Sequence, residues 1–469
     1  MIDWNYILNQ VATVAFDIIY FGAIIGTIVV IILDNRNPVK TLAWILVLMF
    51  LPVVGLVFYF FFGRSRRRER IIEQKIYNRL LNKPMVEYLA QDATTLPIAY
   101  SRLISLFRNT TQAFPFDGNR VETYTSGASM LQSLLRELAK ARQHIHIEFY
   151  IFEDDAIGRM VRDVLIEKVR AGVEVRVIYD DVGCWRFWFH RKFFKEMKEA
   201  KIEIVPYLKG KIAIPVGGQI NYRNHRKIVV IDGKIGYTGG INIGDEYIGK
   251  NKKFGYWRDT HIRIEGTSVY MLQMIFLTDW YYNTKEVLLK EKLFPKLNSK
   301  GICMMQIVAS GPDSDWESMH YAYFYAICQA KKSIYIETPY FIPDESLLKA
   351  LKCAALSGVE LIILFPKIAD HKIVNTASYS YFQEILEAGG KVYLYNKGFL
   401  HSKVIIIDDI MASTGSANMD LRSFKLNFEV NAFIYDDEVI KDMKNEFMND
   451  LKNSEKLEKN KFENRKMIN

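Results

Sequence analysis

Two unbroken apolar runs open the chain. Val11 to Leu33, VATVAFDIIYFGAIIGTIVVIIL, holds 23 residues with Asp17 as its one charge. As a helix it would be about 34 Å long, enough to cross the hydrocarbon core of a bilayer. Thr41 to Phe62 adds 22 residues with no charge, and only DNRNPVK separates the two. The pattern predicts a transmembrane α-hairpin over residues 1–63, since uncharged runs beyond about 18 residues are rare in soluble cores. Asp17 at the bilayer centre would cost about 2.5 to 3.5 kcal/mol, so it is expected nearer an interface or paired. The first ten residues carry no Lys or Arg, which argues against a cleaved signal peptide.

Beyond a polar stretch reaching about Phe114, the periodicity changes to alternating strand and helix patterns. ARQHIHIEFYIF from Ala141 and AKKSIYIETPYF from Ala330 match in order, and GVEVRVIYDD from Gly172 is answered by GVELIILFP from Gly358. Each pair is linked by an amphipathic helical pattern. Self-similarity at this spacing marks an internal duplication. The expected fold is α/β, with two pseudo-symmetric lobes, each a mixed sheet flanked by helices, behind the N-terminal hairpin. The expected boundaries are hairpin 1–63, basic juxtamembrane linker 64–114, first lobe 115–296, second lobe 297–450 and basic tail 451–469.

Charge refines this picture. The net charge is +9, but Arg64 to Arg70 holds five Arg against one Glu, and Leu451 to Asn469 holds six basic residues against three Glu. Those two segments carry +7 of the +9, so the body is nearly neutral and no nucleic-acid groove is suggested. Five arginines after Phe62, against two basic residues in the hairpin loop, place Gly63 onward in the cytoplasm. The expected location is the cell membrane, multi-pass, with cytoplasmic lobes. Cys184, Cys303, Cys328 and Cys353 show no paired spacing and read as reduced thiols. In CWRFWFHRKFFKEM from Cys184, Trp185, Trp188, Phe189 and Phe193 recur at helical spacing among basic residues. That pattern fits an interfacial helix or an ordinary helix covering the sheet.

The candidate chemistry lies in a stretch written twice. NHRKIVVIDG and LHSKVIIIDD place His-x-Lys-x-x-x-x-Asp at His225, Lys227 and Asp232, and again at His401, Lys403 and Asp408. With eight histidines in the chain, about 0.1 chance matches are expected. On a strand, i and i+2 share a face, so each His projects with its Lys. Each Asp, seven positions on, faces the other way and is expected to fix loops. At identical spacing follow Gly239, Gly240 and Asn242, or Gly415, Ser416 and Asn418. Small residues let backbone amides approach an anion. Lys227, Lys403, Asn242 and Asn418, with Gly240 and Ser416, are expected around one phosphate.

These paired motifs resemble those of the phospholipase D superfamily. The hairpin stretch NPVKTLAWILVLMFLPVVG, with NYRNHRKIVVIDGKIGYTGGINIGDEYIG, TPYFIPD and GSANMDLRSFKLNFEV, resembles bacterial cardiolipin synthases within it. The resemblance implies phosphatidyl transfer through a phosphohistidine, with no metal, nucleotide or other cofactor. Phosphatidylglycerol would be donor and acceptor, giving cardiolipin and glycerol. The expected partners are that lipid and other anionic membrane lipids. The resemblance implies His225 as nucleophile and His401 as general acid, then base, with both lysines stabilising the transition state. A nucleophilic His needs an orienting partner. Asp259 in WRDTHIRI and Glu429 in NFEVNAFI stand at matching places and are the candidates, against a reading as surface carboxylates. The rival functions are a phospholipase D or phosphatidyltransferase using another alcohol, a superfamily nuclease, and a non-enzymatic scaffold.

Overall fold

A computed structural model describes residues 4–34, 38–59, 101–184, 191–207, 222–288, 290–297 and 301–459. The chain divides into two units, Met1–Glu69 with Gly210–Tyr222, and Arg70–Lys209 with Arg223–Asn469.

In the first unit, the helix Trp4–Asp34 is long and apolar enough to cross a membrane over Asn9–Ile32. The second apolar run does not continue as one helix. It breaks at Leu51 (φ −135°, ψ 66°) into helices Pro38–Phe50 and Pro52–Phe58. Pro52 has no N–H to donate, and its ring pushes Leu51 out of the helical region. The chain turns back there, and a Cβ on Gly55 would stand 3.2 Å from the Leu48 Cα. Ile31, Leu48 and Tyr59 bury one another beside this turn. The 13 residues of Pro38–Phe50 span about 20 Å, short of a bilayer core. Among the described residues, therefore, one helix reaches spanning length where two were expected.

The second unit holds the two lobes. The first sheet runs in the spatial order Phe116–Ser126, Tyr256–Glu265, Ile235–Gly239, Lys227–Ile231, His144–Phe149, Glu174–Asp180, Glu203–Tyr207. The second repeats that order with Cys303–Ser310, Asn427–Ile434, Met411–Gly415, Val404–Ile407, Ser333–Glu337, Glu360–Pro366 and Lys391–Tyr395. In each, the first four junctions are antiparallel and the last two parallel. The motif strands Lys227–Ile231 and Val404–Ile407 are wholly buried, as β-branched runs covered on both faces must be. Helices between the parallel strands are started by side-chain caps: Asp155 accepts from Gly158 N–H, and Asp344 from Leu347 N–H.

The sheets join where Phe116 pairs with Met305 and Asn119 with Cys303. Two further exchanges matter more. The short strand Arg223–Asn224 pairs with Asn427 and Phe428 of the second lobe. Gly398–Leu400 pairs with Tyr256–Arg258 of the first. Each lobe thus lends the residues just before its His to the sheet of the other.

Two segments expected outside the lobes pack on them. Helix Ser101–Thr111 buries Leu103, Ile104 and Phe107, and Phe107 meets Phe433 at 4.5 Å. Ser454–Lys456 adds an edge strand beside Tyr393–Tyr395, and Leu457 is buried. Their apolar positions were masked in the sequence by neighbouring charge. Trp185, Trp188 and Phe189 lie outside the described residues. Phe193, on helix Arg191–Glu199, is buried against Phe152, so that side chain belongs to the core. The four cysteines are free thiols.

Candidate active site

His225 and His401 each begin where a lent strand ends. The His225 N–H donates to Phe428 O at 2.9 Å, and the His401 N–H to Arg258 O at 2.7 Å. The residue after each acceptor is a buried carboxylate, so the crossing of backbone sets the crossing of side chains. His225 Nδ1 lies 3.0 Å from Glu429 Oε2, and His401 Nδ1 lies 2.7 Å from Asp259 Oδ2. Each histidine is therefore oriented by the carboxylate of the opposite lobe. With Nδ1–H donated to that carboxylate, Nε2 carries the free lone pair. Both imidazoles keep a sliver of accessibility, 11% and 10% of their side chains, while both carboxylates have none.

Lys227 and Lys403 are buried beside them, each donating Nζ–H to the carbonyl of its own histidine. Burial lowers the Lys227 ammonium to about 7, with Glu429, Lys403 and Asp259 as its charged neighbours. Burial likewise brings Lys403 down to about 8, against the pull of Asp259 and Glu429. Each lysine thus feels the carboxylates of both lobes. Burial also lowers His401 to about 4, helped by Lys403 and opposed by Asp259. His225 is lowered by burial too, with Glu429 opposing. For both carboxylates burial raises the pKa, but their polar neighbours prevail: Lys403 and His401 hold Asp259 below its ordinary value, and His225 with the Ser416 hydroxyl does so for Glu429.

Asp232 and Asp408 turn away from this centre. Asp232 accepts from the N–H groups of Arg142, Gln143 and His144, and Asp408 from Lys331, Lys332 and Ser333. Both sit in the left-handed region, at φ 53° and 55°. They pin the turn after the motif strand to the start of the neighbouring strand.

The small residues act differently from expectation. The Gly240 N–H donates to Thr260 O, and the Ser416 N–H to Val430 O, so neither amide is aimed at an anion. Strand pairing consumes them. Their contribution is to the carboxylates: a Cβ on Gly240 would fall 2.0 Å from Asp259 Oδ1, whereas the Ser416 hydroxyl donates to Glu429 at 2.5 Å. Asn242 and Asn418 are buried nearby; Asn242 Oδ1 accepts from Ile151 N–H at 3.3 Å.

Sequence reasoning missed the guanidinium network beneath the site. Arg226, the odd residue between His225 and Lys227, points backward to Asp279, the Ser310 carbonyl and the Glu429 carbonyl. Arg258, just before Asp259, reaches Asp450, Thr260 and the Asp259 carbonyl. Strand parity was the available signal, since the neighbour of an outward His must face inward. Also missed was the aromatic wall at His401, with Trp257 at 5.1 Å and Phe399 at 5.9 Å.

A family model described as "Cardiolipin synthase, PLD-like domain" matches residues 134–271 and 323–451, and one described as "Phospholipase_D-nuclease N-terminal" matches 22–64. The chain is 43% identical to a cardiolipin synthase of Halalkalibacterium halodurans, over 96% of this chain and 90% of that protein. It is 41% identical to the major cardiolipin synthase ClsA of Bacillus subtilis, over 96% and 94%. A phosphatidylserine synthase structure from Haemophilus influenzae superposes with a TM-score of 0.57 at 15% identity, covering 76% of this chain and 91% of that one, which speaks to the fold alone. With the duplicated lobes and the paired motifs, these matches establish that the chain belongs to the cardiolipin synthase family of the phospholipase D superfamily, whose members are phosphatidyltransferases.

Proposed function

We propose that this enzyme transfers a phosphatidyl group from one phosphatidylglycerol to the glycerol hydroxyl of another, yielding cardiolipin and glycerol through a phosphohistidine on His225. The observation that best supports the reading is the crossed pairing, His225 with Glu429 and His401 with Asp259. It supplies two imidazoles, each engaged at Nδ1 by a carboxylate of the opposite lobe, which leaves Nε2 for chemistry.

In the first step, His225 Nε2 attacks phosphorus and forms an N–P bond. The P–O bond to the leaving glycerol breaks, and His401 Nε2–H gives that oxygen its proton. In the second, the acceptor hydroxyl passes its proton to His401, its oxygen bonds to phosphorus, and the N–P bond breaks. Glu429 and Asp259 hold the ring orientations and offset the imidazolium charge. Lys227 and Lys403 meet the non-bridging oxygens, whose charge is greatest in the five-coordinate transition state. In the empty site both imidazoles favour the neutral form, which suits the nucleophile. The bound phosphodiester anion raises the His401 pKa and lets it enter as the acid.

The helix over Asn9–Ile32 anchors the chain to a membrane, and the arginines after Phe62 support a cytoplasmic body. The test is purified full-length protein in vesicles of phosphatidylglycerol alone. Cardiolipin and glycerol in equal amounts are expected; phosphatidic acid as the main product would overturn the synthase reading in favour of a hydrolytic phospholipase.

A further inference from the structure

The crossed pairing fixes the Nδ1 side of His225; the backbone that carries the ring is held by a second set of residues. On the strand His144–Phe149, Glu148 pairs with Ile228 of the motif strand, and its side chain is wholly buried. Its Oε1 accepts from Asn224 Nδ2. Asn224 Oδ1 in turn accepts from the Arg226 N–H at 3.1 Å, and the Asn224 N–H donates to Asp180 Oδ2 at 2.9 Å. One asparagine therefore bridges the residues on either side of His225, and Glu148 holds its amide.

The other oxygen of Glu148, Oε2, is buried with no hydrogen-bond donor among the described residues. Its neighbour is Asp279, on helix Val269–Thr284, with which Glu148 is in side-chain hydrogen-bond contact. Two carboxylates cannot make that bond, because neither has a hydrogen to give. The balance of charge leads to the same point. Arg226 spends its guanidinium on Asp279 and on the carbonyls of Ser310 and Glu429. The Tyr207 hydroxyl donates to the second oxygen of Asp279 at 3.2 Å. Asp313 is a further carboxyl near Arg226, lifted by burial to about 6 against the pull of that cation. One guanidinium thus faces several buried carboxyls, and a buried carboxylate left without a cation takes up a proton. Burial, and next the charge of Asp279, push the Glu148 carboxyl well above its ordinary range, with Arg226 and Asn224 opposing.

The second lobe repeats this arrangement in part. Glu337 stands where Glu148 does, and both its oxygens are buried without a donor among the described residues. Arg258 lies 3.8 Å from Glu337 and 2.6 Å from Asp450. Burial lifts Asp450 to about 7, with the Glu337 charge adding and Arg258 opposing. Again two buried carboxyls meet one guanidinium. The tie to the histidine is not repeated, because Leu400 stands where Asn224 does.

Taking His225 as a reacting group, as above, we propose that Glu148 is kept as the neutral acid and is a positioning residue for that histidine. Its Oε2–H donates to Asp279, its Oε1 accepts from Asn224, and Asn224 fixes the backbone on both sides of the imidazole. Asp279 keeps its charge for Arg226.

The test uses purified full-length protein. Glutamine reproduces the neutral acid, with an N–H in place of the O–H and a carbonyl in place of Oε1. Activity is read in phosphatidylglycerol vesicles as total lipid consumed, so that the identity of the product does not enter. Glu148→Ala should lower kcat about tenfold with little change in KM, the effect of losing one buried hydrogen bond, and Glu148→Gln should restore most of it. Tm against pH reads the charge state. An unfolded glutamate ionises at about 4.3, whereas the folded one keeps its proton. Wild type therefore loses stability as pH rises above that value until the folded carboxyl ionises, and Glu148→Gln does not share the loss. The buried lysines contribute equally to both proteins and cancel in the difference. The Tm of Glu148→Gln should gain on wild type by roughly a few degrees between pH 5 and 8. A difference that stays flat or falls over that range would mean an ionised Glu148 and would overturn the proposal. So would a glutamine variant as slow as the alanine one, or full activity in Glu148→Ala. If the alanine variant does not fold, Asn224→Leu breaks the same chain with the residue type that precedes His401. It should show the same loss in kcat, and full activity there would equally overturn the proposal.

Discussion

His225 and His401 occupy equivalent places in two lobes of one topology, yet their surroundings differ. His401 is walled by Trp257 and Phe399, with Phe254 packed behind. His225 is bordered by Tyr150 and has its carboxylate partner shared with the Ser416 hydroxyl and the Asn427 amide. The supporting arginine has also changed strand. In the first motif it is Arg226, on the His strand, reaching across to the second lobe at Ser310 and Glu429. In the other half-site it is Arg258, on the carboxylate strand of the first lobe, reaching Asp450 of the second. Each guanidinium ends on an aspartate of the helix that follows a carboxylate strand, Asp279 or Asp450. The lesson is that duplication preserved the crossed His and carboxylate geometry, while the residues that lock it were free to move between strands. Once the halves differ, they can take different roles in one reaction.

The sharpest way to break the comparison is to remove each imidazole. His225→Ala and His401→Ala should both lower turnover of phosphatidylglycerol by about 10⁴-fold or more. A donor with a p-nitrophenol leaving group needs no acid, so its first-step burst should reappear in His401→Ala and stay absent in His225→Ala. Rescue of His225→Ala instead would reverse the two roles.

A smaller effect separates the carboxylates. Gly240→Ala puts a Cβ 2.0 Å from Asp259 Oδ1 and should displace that carboxylate from His401, costing about 100-fold in kcat with little change in KM. Ser416→Ala removes one donor from Glu429 and should cost about tenfold. Equal losses would mean that the two half-sites are supported alike.

The gentlest test is pH. Burial lowers Lys227 to about 7 and Lys403 to about 8, and the charged forms are the ones that bind phosphate. Activity per enzyme at low substrate should therefore fall as pH rises through 7 to 8. Stability moves the other way. A lysine with a lowered folded-state pKa penalises folding fully below about 7, and the penalty shrinks as pH climbs toward the unfolded value near 10.4. Lys227→Met should thus raise Tm at pH 6 while abolishing turnover, and Tm falling in that variant would refute the buried-cation account.

Much of this was legible in the chain. Alternating patterns repeated at near-constant offset announced two lobes, and the seven-residue spacing from each His to its Asp was enough to turn Asp232 and Asp408 away from the site. Asp259 and Glu429 could be selected by their matching positions. Their pairing could not, because nothing local says which sheet will receive the strand before each histidine. The amides of Gly240 and Ser416 misled for a related reason: a small residue after a strand suits an anion cradle, but these N–H groups are consumed by the adjacent strand. Local apolar length likewise suggested a second spanning helix, which Pro52 interrupts.

What the sequence determined by itself was the repertoire: an apolar anchor, a duplicated α/β lobe, and two His and Lys pairs each carried on one strand face. These follow from short-range periodicity and covalent spacing. Only the tertiary structure decided that each histidine is served by the carboxylate of the other lobe. That choice depends on pairing between segments 204 and 142 residues apart, where burial and backbone hydrogen bonding across the lobes choose the partner.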